Sequence, residues 1–281
     1  MSTAGGRPDQ PDSLSLGRST PSMMVSIDAA LRHIGVPQAL SRSVPRLPSD
    51  AQAVLVYGSQ ARGDAVPGSD LDLLVLVPFS RPSLNAGDVS VSYYTPVQLE
   101  TGVGSLFGAH LRRDSKVVWD PNAHIAPIVA SMGDVDTERL FSRAARMSVL
   151  FSTPDRDLPK YLPGLLRHAR YLLRSCLYAQ AIASGRPCFS VREIADRHSD
   201  PELVELLASR QKVAPREEHL QECLRRLEKL LGEFAQNVHG SLEATIVNEW
   251  GRPSDLLSAA FLALGSTGHG SMYAEVEKIL L

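Results

Sequence analysis

Two aspartates one residue apart, Asp70 and Asp72, stand at the head of the apolar run LDLLVLV (71–77). On a strand, alternate side chains project from the same face, and at about 3.3 Å per residue their β-carbons lie roughly 6–7 Å apart. Carboxylates held this way can share a pair of cations about 3.5–4 Å apart, the arrangement that serves in-line phosphoryl or nucleotidyl transfer. Magnesium suits such a site, since it prefers hard oxygen ligands together with substrate phosphates. Upstream, Gly58 and Ser59 close another apolar run, AVLVY (53–57), and open the stretch GSQARG. A strand that ends in Gly-Ser and turns into a short helix presents backbone N–H groups to a phosphate, and the serine adds a hydroxyl.

Either piece alone is weak. A lone D-x-D usually caps a turn, and a lone Gly-Ser says less still. The order of the pieces is what is specific: apolar strand, Gly-Ser, ten residues of helix-compatible spacer and PGSD turn, then D-x-D on a second apolar strand. Carboxylates on a strand about to be buried are costly to desolvate without a partner.

The elements that must hold these residues follow from hydrophobic periodicity. SIDAALRHIGVPQAL reads as helical, with Ser26 as N-cap, and AVLVY and LDLLVLV as buried strands. PFSRPSLNAG reads as a turn-rich connection and DVSVSYY (88–94) as a third strand. TPVQLETGVGSLFGAHLRRD reads as one helix capped by Thr95 with Pro96 at its first position, and SKVVWD (115–120) as a fourth strand. After about residue 121 the pattern is helical: TERLFSRAARMSVLF, PKYLPGLLRHARYLLRSCLYAQAIASG, VREIADRH, PELVELLA, EEHLQECLRRLEKLLGEFAQNV, DLLSAAFLALG and SMYAEVEKILL. Strands followed by helices predict an α+β chain. The expected division is a flexible tail at 1–24, a mixed-sheet catalytic domain with flanking helices at 25–130, and a helical bundle at 131–281.

GSQARG followed by SDLDL resembles the signature of nucleotidyltransferases of the DNA polymerase beta superfamily. The nearest likeness is to the minimal and aminoglycoside nucleotidyltransferases. The strong motif covers 54–77, and a looser likeness runs to about 130. The resemblance implies transfer of a nucleoside monophosphate from an NTP to an acceptor hydroxyl, with release of pyrophosphate. It implies Gly58 and Ser59 on the triphosphate, with Arg62 steadying the loop or phosphates and Ser69 beside them, and Asp70 and Asp72 on two Mg²⁺. The family also places a third carboxylate on the strand facing D-x-D. Alignment puts Ser90 there, with Asp88 two residues earlier on the same face, so Asp88 is the expected third catalytic and metal-binding group. Should neither serve, a nucleotide-binding or partner-binding protein of impaired turnover is the alternative.

The remaining signals bound the reading. A net charge of −2 and 21% charged residues argue against binding nucleic acid or membrane over the whole surface. The three cysteines, Cys176, Cys188 and Cys223, lack close pairing and read as reduced thiols in a cytoplasmic protein. No run approaches the length of a membrane span. Lys160, Arg167, Arg170 and Arg174 share one side of a helix, either as a solvated face or as a basic stripe for pyrophosphate or RNA. Arg192 and His198 match an R-x5-H ribonuclease spacing at a rate expected by chance. The acceptor stays open between a small molecule, tRNA and a protein hydroxyl, as does a homodimer.

Overall fold

The computed structural model describes residues 21–152, 157–207, 214–252 and 254–264. Five strands form one mixed sheet in the order β3-β4-β2-β1-β5: β1 (Ala53–Tyr57), β2 (Leu71–Leu76), β3 (Leu84–Ala86), β4 (Val89–Tyr94) and β5 (Lys116–Trp119). β1 is antiparallel to both β2 and β5, while β2 and β4 run parallel. The sheet is covered on both faces, which explains why its central strands read as unbroken apolar runs rather than alternating ones. Val54, Val56, Leu73, Val75 and Val91 pack with Ile27 and Leu31 of α1 (Pro21–His33), below which α2 (Gln38–Arg42) continues the layer. Leu55, Tyr57, Leu74, Leu76 and Tyr94 face the opposite layer. After the short α3 (Gly58–Arg62), that layer comprises α4 (Pro96–Glu100), α5 (Leu106–Asp114) and α6 (Ile125–Ala130).

The rest of the described chain is helical and has its own core. α7 (Thr137–Ser148) leads into the 26-residue α8 (Leu158–Ala183), which forms the axis of this half. α9 (Val191–Arg197), α10 (Glu202–Leu207), α11 (Glu217–Leu231), α12 (Leu242–Glu249) and α13 (Asp255–Leu264) complete it. Leu165, Leu166, Ala169, Leu172, Leu173 and Cys176 of α8 are buried at helical spacing. Leu106 of α5 belongs to this second core, so the two halves share a seam. All three cysteines are free and buried. Among the described residues no helix is long and apolar enough to cross a membrane.

Several elements differ in detail from the sequence reading. The first helix begins at Pro21, inside the expected tail, and Ser26 lies within it. That helix ends at His33 in a turn through Gly35, and Pro37 caps α2 afresh. The single helix expected over 95–114 is two. Thr95 and Gln98 form a reciprocal capping box on α4; the chain then turns through Gly102 and Gly104, poor helix formers, and Ser105 caps α5 by accepting from the Gly108 N–H at 3.0 Å. The turn-rich connection contains β3, and α12 arises from SLEATIVNEW, which carries little amphipathic signal. The C-terminal SMYAEVEKILL and residues 1–20 of the tail lie outside the described residues.

Candidate active site

The site begins where β1 becomes α3. Gly58 has a φ of +74°, a region L side chains rarely adopt, and a β-carbon there would sit 2.7 Å from Asp72 Oδ2. Glycine is required twice over: by the backbone, and by the carboxylate filling the space where a side chain would start. The antiparallel register explains the meeting, since Tyr57 pairs with Asp72 directly across β1 and β2. α3 lasts five residues and ends at Gly63 (φ +83°), whose N–H donates to the Ser59 carbonyl at 2.9 Å. The return loop is fixed by Ser69, whose Oγ accepts from the Val66 N–H at 2.9 Å and whose carbonyl accepts from Gln60 Nε2 at 3.4 Å. At the head of β2, the Leu71 N–H donates to the Asp88 carbonyl at 2.8 Å.

Gly58, Ser59, Arg62, Ser69, Asp70 and Asp72 all line one cleft of about 590 Å³. Asp88 is not among its lining residues; it is exposed in the two-residue turn that joins β3 to β4. Ser90 lines the cleft instead, next to Asp72 in the parallel β2–β4 register, with Ser92 further along the same face. The strand wall facing the aspartates is therefore neutral and hydroxyl-bearing. Asp70 and Asp72 offer the hard oxygen donors that suit Mg²⁺, and the Gly58 gap admits the Asp72 carboxylate, so these residues fit that ion. Among the described residues no group of three or more His, Cys, Asp or Glu side chains converges as a metal cluster.

The opposite wall comes from the helical half: Tyr171, Arg174 and Tyr178 of α8, then Phe189, Ser190 and Arg192 at the start of α9. The two tyrosines also pack in the core of the helical half, so they front the cleft from that core. The basic stripe is divided. Lys160 pairs with Glu243 at 2.8 Å, Arg167 donates to the Leu262 carbonyl at 3.1 Å and Arg170 to the Leu206 carbonyl at 2.8 Å. Arg174 alone of the four lines the cleft. Arg192 lines it too, whereas His198 is the exposed C-cap of α9 and does not.

Arg62 is only 16% exposed at its side chain and stands in a charged cluster at the cleft wall. It lies 3.3 Å from Asp64 and 3.8 Å from Asp114, and its Nη1 is 3.1 Å from His110 Nε2. A guanidinium only donates, so that ring nitrogen is the acceptor. Burial pushes the Asp114 carboxyl up from its ordinary value, against the pull of Arg113 and Arg62. The His110 ring stacks on Phe189 at 5.0 Å and meets Tyr57 edge-on at 6.1 Å. Asp64, His110 and Phe189 carry no motif signal; only the fold assembles them.

A second cavity, of about 710 Å³, lies between α7, α12 and α13, lined by Arg146, Glu249 and Asp255 among others. Its acids are engaged, Asp255 by Arg143 and Arg146 and Glu249 by His239 at 3.2 Å.

No curated protein matches the chain. Residues 38–111 match the family model described as "Nucleotidyltransferase domain", a span that runs from α2 through β1, Gly58-Ser59, the two aspartates and β4 into α5. The segment that builds the cleft floor is the segment matched, so this part of the chain is similar to a nucleotidyltransferase domain.

Proposed function

We propose that the protein transfers a nucleoside monophosphate from an NTP to an acceptor hydroxyl, releasing pyrophosphate, at the Asp70–Asp72 cleft. The observation carrying this reading is the fit of the Asp72 carboxylate into the space Gly58 leaves empty, on the rim of a cleft open to both halves of the chain. Asp70 and Asp72 hold Mg²⁺, two ions in the resemblance to the family. The metal supplies neutralisation of phosphate charge at the reacting phosphorus. Ser59 and the Gly58 backbone hold the triphosphate with Ser69 beside them, and Arg62, tied into its cluster, keeps that floor rigid. Catalysis then rests on positioning and electrostatic preorganisation. The sheet unit carries the chemistry and the helical unit closes over the acceptor: a small molecule, a tRNA end or a protein hydroxyl. Three free cysteines suit a reducing compartment, and we take the cytoplasm as its location.

One observation favours a second reading. With Ser90 beside Asp72 and Asp88 out on its turn, the cleft has a serine where the family carries its third carboxylate. A serine is a poor base at neutral pH, so a nucleotide-binding protein of impaired turnover accounts for the same geometry. The test incubates the protein with Mg²⁺, each labelled NTP and a cell extract, following label into protein, RNA and small molecules. Transfer that disappears in the Asp70→Asn/Asp72→Asn double variant supports the enzyme. Binding without consumption of any NTP supports the second reading, and full activity in the double variant refutes the metal-site assignment.

A further inference from the structure

The loop between Gly63 and Asp70 carries the chain from Ser59 to the paired aspartates, and it is also anchored in the other half of the molecule. Asp64 Oδ2 accepts from Ser190 Oγ at 2.6 Å, and the Asp64 backbone carbonyl accepts from Arg192 Nη1 at 2.7 Å. Both donors sit at the start of α9, where Ser190 is also the N-cap, its Oγ accepting from the Glu193 N–H at 3.4 Å. On the sheet side Asp64 meets Arg62, which reaches on to His110, and His110 lies flat on Phe189, the residue before Ser190. Hydrogen bonds, an ion pair and a ring stack therefore close one circuit between the loop, α5 and α9. The cleft has its two walls on either side of this joint.

We infer that Asp64 is a positioning residue: by fastening the loop ahead of Asp70 to Ser190 and Arg192, it sets the separation of the cleft walls and with it the affinity for the nucleotide. The identity of that ligand rests on the nucleotidyl-transfer reading above; the joint itself does not. A merely structural role would lower stability and leave nucleotide affinity alone.

The test uses the full chain with Ser190→Ala, Ser190→Thr, Asp64→Ala and the double variant Asp64→Ala/Ser190→Ala. It measures melting temperature, the dissociation constant for each non-hydrolysable NTP analogue with Mg²⁺, and hydrogen exchange of amides 63–70. Loss of a hydrogen bond to a carboxylate at a joint that sets cleft width weakens analogue binding about tenfold in Ser190→Ala. Ser190→Thr restores it, and the double variant binds no more weakly than Asp64→Ala alone. Amides 63–70 exchange faster while those of α8 do not. A lowered melting temperature with unchanged affinity in Ser190→Ala overturns the inference. If the wild-type chain binds no analogue, the nucleotide reading fails, and the exchange rates decide the joint separately: unchanged protection at 63–70 overturns it.

Discussion

Replacing Gly58 with alanine separates two effects that usually travel together. The new β-carbon would stand 2.7 Å from Asp72 Oδ2, where ordinary contact begins at 3.4 Å, so the carboxylate must retreat by roughly 0.7 Å. Displacements approaching 1 Å at a reacting centre cost on the order of 10²-fold in rate. The backbone adds its own cost, since an alanine at φ +74° is disfavoured by about 1–2 kcal/mol. Gly63 supplies the control: its φ is +83°, yet a β-carbon there meets nothing within 4 Å. Gly63→Ala therefore carries the same backbone strain without touching Asp72. Each variant is expected to melt a few degrees below wild type. Only Gly58→Ala should lose label transfer, by about 10- to 100-fold, with Mn²⁺ or Mg²⁺ affinity reduced in parallel. Equal activity in the two alanine variants would refute the reasoning that Gly58 is a space kept for the Asp72 carboxylate.

Restoring a carboxylate beside Asp72 is the converse experiment: Ser90→Asp is expected to raise the transfer rate tenfold or more and tighten metal binding, and an unchanged rate would show that no base is missing from the strand wall. His168 is fully enclosed beside Phe151 and Tyr171, and burial pushes its imidazole down to about 4. The folded chain then binds fewer protons than the unfolded chain between pH 6.5 and 4. Stability is complete above that window and falls by roughly 3 kcal/mol as pH drops through it. Urea melts across the window should show His168→Leu losing that part of the slope; a slope identical to wild type would contradict it. Asp255 receives paired donors from both Arg143 and Arg146, at 2.8–3.0 Å, fastening the start of α13 to α7. Asp255→Ala is expected to cost about 2 kcal/mol in chemical denaturation, and a loss below the error of that measurement would assign the pair to the surface class.

Much of the sheet was legible because its central strands are buried on both faces and therefore unmistakably apolar. AVLVY and the start of DVSVSYY mark β1 and β4 to within a residue. The order of the pieces brought Gly58 and Asp72 to one site, but their contact depends on the Tyr57–Asp72 register, which no local pattern encodes. Alternation places Asp88 and Ser90 on one face. It cannot reveal that the strand starts at Val89 and leaves Asp88 in the preceding turn. The arginines of α8 show the same limit: helical spacing predicts which share a side, while the carbonyls of Leu206 and Leu262 that engage two of them come from distant elements. The long helix expected over 95–114 failed for a local reason, as Ser105 caps better than Gly102 and Gly104 propagate.

The bond between Asp64 and Ser190 joins residues 126 positions apart in the chain. During synthesis at about 5–20 residues per second, the paired aspartates emerge roughly 6–25 s before the residues that pin their loop. A nascent chain thus displays both carboxylates and the Gly-Ser turn while half the cleft has yet to be translated. Completion of the cleft is tied to completion of the helical half, so a truncated or stalled product would carry the Gly-Ser and D-x-D signature without the second wall of the cleft.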